Sequence, residues 1–469
     1  MIARIGLVLS ATIGRWIPEP FVLALGLTVL TAILALGFGF PPHTNAEGVL
    51  DPVPRSTAAL TLLETWWSPG LWKFLGFSMQ MSLILVTGYA IAQSRPVRAF
   101  INAVSGIPAG TGSAASLVGL VAMCTGLLNW GLGLIVGALL AHETARSLER
   151  RGIRAHYPLI CAAGYTGLLV WHGGLSGSAP IKMSKPDQAA DILPASVLES
   201  MEVSAIPLQD TVFSGMNLFV SVGVLALVAL TLFLLAPKRD EEIRTRDDLG
   251  IGTTDADTNG SSGRDSLAAI VVNVFVALAL LVGMVIYLAN NAAGPGAIGP
   301  NEINATMLGL GMLLHGSPSS YLRAIESGVR GCAGIIVQFP LYAGIMIMMS
   351  VSGLMKMASD FAAEHATQES LPLMTFLSAG VVNFFVPSGG GQWGVQGPIA
   401  LEAGAALGIP PTEMIMSVAY GDQLTNMLQP FWALPLLAIT GIKARDIVGY
   451  TAIVMVVAGG WMVFGLWLF

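Results

Sequence analysis

The sequence predicts an all-α integral membrane protein built from many helices. Of its 469 residues, 54% are hydrophobic and only 11% are charged, whereas an ordinary soluble domain has roughly 25% charged residues. The mean hydropathy is +0.72. Uncharged segments recur along the chain at about the 20 residues that a membrane-spanning helix needs, and no soluble domain is apparent between them.

Nine segments lack Asp, Glu, Lys and Arg entirely. They are Phe21–Phe40, Phe74–Ser94, Ala99–His142, Ala155–Ile181, Thr211–Pro237, Ser266–Asn301, Gly331–Met355, Ser370–Leu401 and Ile447–Phe469. A tenth, Met414–Ile442, is interrupted only by Asp422. The net charge of −6 is spread over the loops, so no nucleic-acid partner is indicated. The three cysteines lie in apolar segments without CxxC spacing, which predicts neither disulfides nor a zinc site, and no cofactor is expected.

A polar stretch near the middle, Lys238–Asp265, divides the chain into two halves. Its Asp, Arg, Thr, Gly and Ser residues are typical of a flexible linker, and we expect it on the cytoplasmic side. The predicted division is therefore a first membrane repeat over 1–237, a linker over 238–265 and a second repeat over 266–469. A faint similarity supports the repeats, because Gly126-Leu-Leu-Asn129-Trp130 resembles Gly380-Val-Val-Asn383-Phe384 after a shift of about 254 residues.

The charges around two long uncharged segments indicate opposite orientations in the membrane. Arginines flank Ala99–His142 on both sides, and they are Arg95, Arg98, Arg146, Arg150, Arg151 and Arg154. Ser370–Leu401 is flanked instead by Asp360, Glu364, Glu369, Glu402 and Glu413. Because Lys and Arg mark cytoplasmic loops, each segment is predicted to enter and leave on one side as a re-entrant hairpin, one open to each side. Two plain spanning helices are the alternative.

Each predicted hairpin precedes an interrupted helix. Trp171–Pro180 ends one apolar run with glycines and serines, and Gly421–Pro430 places polar residues inside another. Discontinuous helices in corresponding positions of two inverted repeats are a sequence signature of a transporter binding site. The predicted fold is thus a polytopic helical transporter with two inverted repeats, each having a re-entrant hairpin and a discontinuous helix.

The residues of the second hairpin and broken helix resemble one known family. The stretches Val386-Pro-Ser-Gly-Gly-Gly-Gln-Trp393, Gln396-Gly-Pro398 and Ala419-Tyr-Gly-Asp422 are similar to those of the short-chain fatty acid transporters, the bacterial uptake carriers for acetoacetate and butyrate. The resemblance covers nearly the whole chain. It implies a multi-pass protein of the bacterial inner membrane, not an enzyme, that takes up short-chain monocarboxylates by secondary active symport with a proton or a sodium ion.

More distantly, the hairpins and broken helices are similar to those of dicarboxylate carriers of the ion transporter superfamily. Those relatives hold sodium with Ser-Asn-Thr tips, whereas the tips here read Asn129-Trp130-Gly131 and Ser388-Gly-Gly-Gly391. The coupling ion is therefore left open between H⁺ and Na⁺. The likeness is also compatible with a homodimer, because carriers of this fold often pair.

We expect the substrate carboxylate to bind at the glycine-rich tip. The uncharged segments offer no Lys or Arg, so backbone N–H groups at helix N-termini must supply positive potential. The candidate substrate residues are Asn129, Trp130, Gly131, His172, Ser176, Ser178, Ser388, Gly389, Gly390, Gly391, Gln392 and Trp393. Close packing of helices through the glycines is the alternative explanation.

Several of these candidates have alternative roles. Trp130 and Trp393 would form an aromatic wall for a short acyl chain, or would lie at the membrane interface. His172 would titrate near neutral pH or donate to a carboxylate, or would simply bond its neighbours. Ser176 and Ser178 would donate to the substrate or cap helix ends.

Asp422 is the predicted site of ion coupling, because acidic side chains inside a membrane are costly and usually functional. It would bind the coupling proton, or would bind a sodium ion together with Gln423, Thr425 and Asn426. A hydrogen bond to a broken helix end is the structural alternative.

Two other classes of function compete with the symporter. Gly174-Leu-Ser176-Gly177 matches a GxSG element of serine hydrolases, which would suggest an intramembrane protease. A passive anion channel is the other alternative. The sequence contains neither a P-loop lysine motif nor HExxH, so neither ATP-driven transport nor zinc hydrolysis is supported.

Overall fold

The computed structural model describes residues 19–41, 43–44, 50–186, 189, 205–251, 265–290, 300–329 and 332–469, together with residues 7 and 12. Within these residues the only sheet is a two-residue antiparallel pair, β1 (His43–Thr44) with β2 (Leu50–Asp51). All other regular structure there is helical, as the sequence predicts.

The first half contains nine described helices. They are α1 (Pro20–Phe38), α2 (Arg55–Trp67), α3 (Leu75–Gln93), α4 (Arg95–Ser105), α5 (Thr111–Leu128), α6 (Trp130–Arg150), α7 (Tyr157–Tyr165), α8 (Ser178–Met183) and α9 (Gly215–Leu234). Between α7 and α8 the chain forms two short 3-10 turns, Thr166–Leu169 and Trp171–Gly173.

The second half contains ten described helices. They are α10 (Leu267–Asn290), α11 (Pro300–His315), α12 (Pro318–Val329), α13 (Ala333–Val351), α14 (Leu354–Glu364), α15 (Leu371–Phe385), α16 (Gly389–Ala406), α17 (Pro411–Thr425), α18 (Pro430–Thr440) and α19 (Ala444–Leu468). A 3-10 turn, Asn426–Leu428, separates α17 from α18.

Seven helical segments of the described chain are long and apolar enough to cross a membrane. They are Pro20–Phe38, Arg55–Gln93, Thr111–Leu128, Gly215–Leu234, Leu267–Asn290, Ala333–Val351 and Ala444–Leu468. Large apolar side chains on these helices stand exposed, as Phe275 does at 71% of its surface, which is the surface that lipid or another helix covers. The prediction of an all-α, polytopic membrane protein is confirmed.

Both predicted hairpins are pairs of adjacent antiparallel helices. The Arg151 Nη1 donates to the carbonyl of Gly106 at 2.8 Å, which places the end of α6 beside the start of α5. In the second hairpin the amide of Gln396 on α16 donates to the Ser378 hydroxyl on α15 at 2.9 Å. Each hairpin turns where its sequence breaks, at Asn129 and at Val386–Ser388.

Glycines let each hairpin cross the neighbouring broken helix at backbone distance. A Cβ on Gly126 would lie 2.4 Å from the carbonyl oxygen of Gly167, and one on Gly421 would lie 3.0 Å from the nitrogen of Gly380. No side chain fits at either crossing, as is common where membrane helices meet through small residues. The shift of about 254 residues that relates the hairpin sequences also relates these two crossings.

The first part of the predicted flexible linker is packed on the membrane domain. The Arg246 side chain is buried and forms an ion pair with Glu149 at 3.2 Å. The backbone of Arg244 accepts from the N–H of Tyr157 at 2.9 Å and donates to His156 at 3.0 Å. Residues 239–251 are thus ordered by contacts with α6 and α7, whereas residues 252–264 lie outside the described part of the chain.

Candidate functional site

The segment between α7 and α8 lies between the two hairpin tips and contacts both. The Ser176 hydroxyl accepts from the backbone N–H of Trp130 at the first tip, at 2.9 Å. A Cβ on Gly389 at the second tip would lie 2.9 Å from the His172 ring. Residues far apart in the sequence therefore meet around one broken segment, Trp171–Lys182.

The backbone donors of the first tip are used within the protein. The Oδ1 of Asn129, which caps α6, accepts from the N–H groups of Gly131 at 2.9 Å and Leu132 at 3.2 Å. Ser176 accepts from the third, that of Trp130. Asn129 is also buried, so the first tip as observed leaves none of these three donors for a ligand.

The second tip is more open. Ser388 caps α16, and its hydroxyl accepts from the N–H of Gly391 at 3.2 Å. Among the described residues, the N–H groups of Gly389 and Gly390 have no acceptor. They point from the positive end of an 18-residue helix, which favours negative charge beside them.

Asp422 and His172 form a hydrogen-bonded pair against this tip. The Asp422 Oδ2 lies 2.5 Å from His172 Nδ1, and the two side chains are 1% and 0% exposed. A Cβ on Gly389 would lie 3.2 Å from the same carboxylate oxygen. The acid on α17 and the histidine before α8, predicted from separate halves of the sequence, therefore contact each other and the glycine tip.

The surroundings of His172 determine which nitrogen carries its proton. The backbone N–H of Ala179 donates to Nε2 at 3.0 Å, so Nε2 must offer a lone pair. The neutral ring then carries its proton on Nδ1 and donates it to Asp422. A proton on Nε2 would face the Ala179 N–H, so this geometry fits a ring with its proton on Nδ1.

Gln423 and Trp171 hold the histidine in place. The Gln423 side-chain oxygen accepts from the backbone N–H groups of His172 at 3.0 Å and Gly173 at 3.3 Å. The indole of Trp171 stacks on the imidazole with ring centres 4.3 Å apart. Gln423, predicted to take part in ion coupling, thus contacts the pair through the backbone rather than through Asp422.

The break between α17 and α18 gathers a second polar cluster. The Nδ2 of Asn383 donates to Thr425 Oγ1 at 3.0 Å and to Asn426 Oδ1 at 2.8 Å. Thr425 donates in turn to the carbonyl of Gly380 at 3.0 Å. Two predicted coupling residues, Thr425 and Asn426, therefore share a buried cluster with Asn383. Asn383 corresponds to Asn129 after the shift of about 254 residues. This correspondence could have identified Asn383 from the sequence.

Hydrogen bonds of two tyrosines connect each half of the chain to the helix break of the other half. The Tyr165 hydroxyl contacts the carbonyls of Asn426 and Gln429, at 2.8 Å each, at the second break. The Tyr420 hydroxyl bonds Asn217 at 3.0 Å, and Asn217 donates to the carbonyl of Gly173 at the first break, at 2.8 Å. Neither Tyr165 nor Asn217 was among the predicted site residues, although Ala163-Gly-Tyr165 resembles Val418-Ala-Tyr420 after nearly the same shift along the chain.

Other predicted residues lie at the site with different surroundings. Both observed donor contacts of the Gln392 amide lie within the hairpin, to the Ala379 carbonyl at 2.9 Å and to Gln396 at 3.0 Å. Trp393 is fully buried, which excludes a position at the membrane interface. Trp130 is half-buried and packs edge-on to Trp432 at 5.1 Å.

One charged residue was missed by sequence reasoning. The Lys182 Nζ donates to the carbonyl of Gly390 at 3.1 Å, so a cation does lie at the second tip. The prediction that only backbone supplies positive potential there is wrong. Lys182 follows directly on the uncharged segment Ala155–Ile181 and therefore lay outside the segments searched for site residues, but α8 carries its side chain back to the tip.

The sequence is similar to known transporters over its full length. A family model described as "Short chain fatty acid transporter" matches residues 1–469. The chain belongs to the short-chain fatty acid transporter family. Two curated proteins named for short-chain fatty acid transport are similar over the full length of both chains. The protein of Escherichia coli (strain K12) is 35% identical over 472 residues, and that of Haemophilus influenzae (strain ATCC 51907 / DSM 11121 / KW20 / Rd) is 34% identical over 473.

Two solved transporter structures show a distant likeness. The YdaH transporter of Alcanivorax borkumensis is 16% identical, with a TM-score of 0.44, and the match covers 96% of this chain and 98% of that one. The MtrF protein of Neisseria gonorrhoeae, of a class of antimetabolite efflux pumps, is 14% identical with a TM-score of 0.38, covering 98% and 97%.

Membership of this transporter family excludes the protease alternative. The geometry supplies a physical reason. A serine nucleophile needs a base within hydrogen-bond reach, but the ring nitrogens of His172 are already bonded to Asp422 and to Ala179. Ser176 instead accepts a bond from the first tip, so its GxSG surroundings belong to a packed turn.

We expect Tyr165→Phe to lower the stability of this transporter. Removing the hydroxyl leaves the buried Asn426 and Gln429 carbonyls without their bond from Tyr165, which costs about 1–3 kcal/mol. Thermal unfolding in detergent measures the change. Tyr342→Phe is the matched control, because the buried Tyr342 hydroxyl has no partner among the described residues, and it should leave the midpoint unchanged or raise it. Equal losses in both variants would contradict the role of Tyr165 at the break.

Proposed function

We propose that this protein takes up short-chain fatty acids, such as butyrate or acetoacetate, by proton-coupled symport. The observation that carries the proposal is the buried Asp422–His172 pair in contact with Gly389 at the open helix tip. Family membership supports the substrate class. The pair supplies a protonation site beside the place where we expect a carboxylate to bind.

Electrostatics couples the two ligands at such a site. An ionised Asp422 beside a neutral His172 leaves one negative charge in a buried position. A carboxylate bound about 8 Å away would be repelled by about 2 kcal/mol at an effective dielectric constant near 20. Protonation of Asp422 removes this repulsion, so proton binding and anion binding favour each other by the same free energy. That reciprocity is what a symporter needs.

Substrate selection would follow from the residues around the tip. The carboxylate would lie near Gly389, Gly390 and Ser388, and the acyl chain would extend toward aromatic residues such as Trp130 and Trp171. A short acyl chain suits a site enclosed by two tips and a broken segment. In this proposal not all of the predicted substrate residues contact the substrate. Some of them position the broken segment and the first tip, and these are Ser176, Ser178, Gly131 and Asn129.

The movement would be alternating access between two inverted repeats. The symmetry-related crossings at Gly126 and Gly421 support the repeats. So do the bonds from Tyr165 directly to the second break and from Tyr420, through Asn217, to the first break. The unit that contains both tips and breaks would move relative to the other helices, exposing the site to each side in turn. The bacterial inner membrane is the proposed location, and a homodimer is the proposed assembly.

Sodium coupling is a second candidate, favoured by the cluster of Asn383, Thr425 and Asn426. The Oδ1 of Asn383 and the Nδ2 of Asn426 are buried without partners among the described residues. Rotation of the Asn383 amide by half a turn would direct its oxygen toward Thr425 and Asn426, and oxygen ligands suit a hard cation. The same helix break could therefore hold a sodium ion in place of the proton on Asp422.

Uptake into proteoliposomes distinguishes these candidates. With an inward proton gradient and no sodium, we expect labelled acetoacetate to accumulate above its external concentration. Protein-free liposomes measured in parallel give the passive entry of the neutral acid. Accumulation that requires a sodium gradient at equal pH would support the second candidate instead. Equilibration without accumulation under either gradient would indicate a passive channel and contradict symport.

A further inference from the structure

We propose that Lys182 is the charged residue that binds the substrate carboxylate at the second tip. This inference rests on the proposed function and names the group that recognises the anion. The Lys182 ammonium lies at one face of Gly390, while the Asp422–His172 pair lies at the face of Gly389. The cation and the protonation site thus contact consecutive residues of the tip.

The Lys182 ammonium has no anionic partner among the described residues. Six ion pairs are found there, and Lys182 is in none of them. The only described bond of its side chain goes to a neutral carbonyl, that of Gly390. A partly buried ammonium that lacks an anion is costly in a membrane protein and marks a functional position. A bound carboxylate would supply the missing negative charge.

Several hydrogen-bond donors surround the ammonium. An ammonium has three N–H groups, and one of them is used by Gly390. Ser178, one helical turn earlier on α8, directs its hydroxyl to the same side, because both Ser178 Oγ and Lys182 Nζ lie within 3.8 Å of the position of a Gly390 Cβ. With the free N–H groups of Gly389 and Gly390, these donors come from two separate segments and converge on one place.

The charges at the tip would also couple the two ligands. The carboxylate would neutralise Lys182, while the proton neutralises Asp422, so the loaded site would carry no net charge from these four groups. With neither ligand, the charges of Lys182 and an ionised Asp422 sum to zero, although the two side chains form no ion pair. Only the states that hold one ligand carry a net charge, and burying net charge is costly. The carrier would therefore change readily between its inward-open and outward-open states when it is loaded or empty, and poorly when it holds a single ligand.

Ligand-dependent thermal unfolding of the full-length protein in detergent tests the role of Lys182. Butyrate should stabilise the wild type, and butyramide, its neutral analogue, should do so only weakly. Because charge-assisted bonds are the stronger ones, we expect Lys182→Gln to raise the half-saturating butyrate concentration about 10- to 100-fold and to abolish the preference for acid over amide. Lys182→Arg should retain that preference.

Lys185→Gln is the matched control, because Lys185 lies just beyond α8, and it should leave butyrate binding unchanged. Unchanged butyrate binding in Lys182→Gln would overturn the role of Lys182 and leave the proposed function standing. An equal loss of butyrate and butyramide binding would also overturn it, because Lys182 would then only hold the tip in shape. Failure of the wild type to bind any short-chain acid would overturn the proposed function itself, and this inference with it.

Discussion

Asp422→Asn is expected to reduce gradient-driven accumulation of acetoacetate to the level of protein-free liposomes. Asparagine is nearly isosteric and retains an oxygen that can accept the proton of His172 Nδ1, so the pair keeps its geometry. It cannot take up or release a proton, however, and net symport requires both steps. The substitution keeps the volume of the side chain and removes the cost of burying a charge, so the variant should fold.

Exchange transport separates coupling from binding in this variant. Proteoliposomes loaded with unlabelled acid should still exchange it for labelled acid outside. During exchange the carrier holds an acid in both directions of its movement, so no proton has to be released. Glu413→Gln, on the first turn of the same helix α17, is the matched control and should keep both activities. Asp422→Asn protein that still accumulates acid in response to a pH gradient would contradict the assignment of the coupling proton.

Gly389→Ala is expected to abolish transport and to lower stability. The added methyl carbon would lie 2.7 Å from the Trp171 ring and 2.9 Å from the His172 ring, both shorter than any ordinary carbon contact. The tip or the stacked rings must move, at a cost of about 1–3 kcal/mol for overpacking. Either movement increases the distance between the helix N-terminus and the Asp422–His172 pair. Anion binding would then no longer be coupled to proton binding.

Two other glycines of α16 provide the comparison. A Cβ at Gly394 would meet no described atom within 4 Å, so Gly394→Ala should keep full uptake. A Cβ at Gly390 would make only ordinary contacts, the nearest at 3.5 Å from Lys182, and Gly390→Ala should keep its unfolding midpoint. Uptake and thermal unfolding measured on all three variants test the contact. Wild-type uptake by Gly389→Ala would show that the tip does not depend on its close approach to His172.

The sequence was sufficient to predict the elements of the site because each departs from what a membrane helix allows. Glycine-rich breaks and an acid inside uncharged segments are costly in a bilayer, so Ser388–Gly391, His172 and Asp422 stood out without any structure. The fold class and the family followed from the same segments, and both are confirmed.

Contacts between distant segments could not be predicted in this way. His172 and Asp422 are 250 residues apart, and only the packing of α8, α16 and α17 shows that they share one hydrogen bond. Lys182 was missed for a related reason. Its charge ends an uncharged segment, and no local pattern indicates that a six-residue helix, α8, directs its side chain to a tip in the other half.

The linker shows the limit of composition. Residues 239–251 are as polar as a flexible segment, yet Arg246 is buried against Glu149 and Tyr157. Composition describes how readily a segment is solvated, but contacts with α6 and α7 order part of this one. These partners lie far along the chain, and nothing in the linker itself identifies them.

The central claim is that anion binding and protonation of Asp422 are coupled, and proton uptake on substrate binding tests it most directly. Acetoacetate is added to the purified protein in detergent and weak buffer, and a pH indicator reports protons taken up, from about pH 5.5 to about pH 8.5, the range around neutral pH where such switches act. Detergent removes the interfering leak of neutral acid through a bilayer.

We predict that the wild type takes up as much as about one proton for each acid bound, at the pH where the unliganded pair is ionised and the liganded pair is protonated. Asp422→Asn should bind the acid and take up none. Binding of acetoacetate by the wild type without proton uptake at any pH in this range would contradict the coupling assigned to the Asp422–His172 pair.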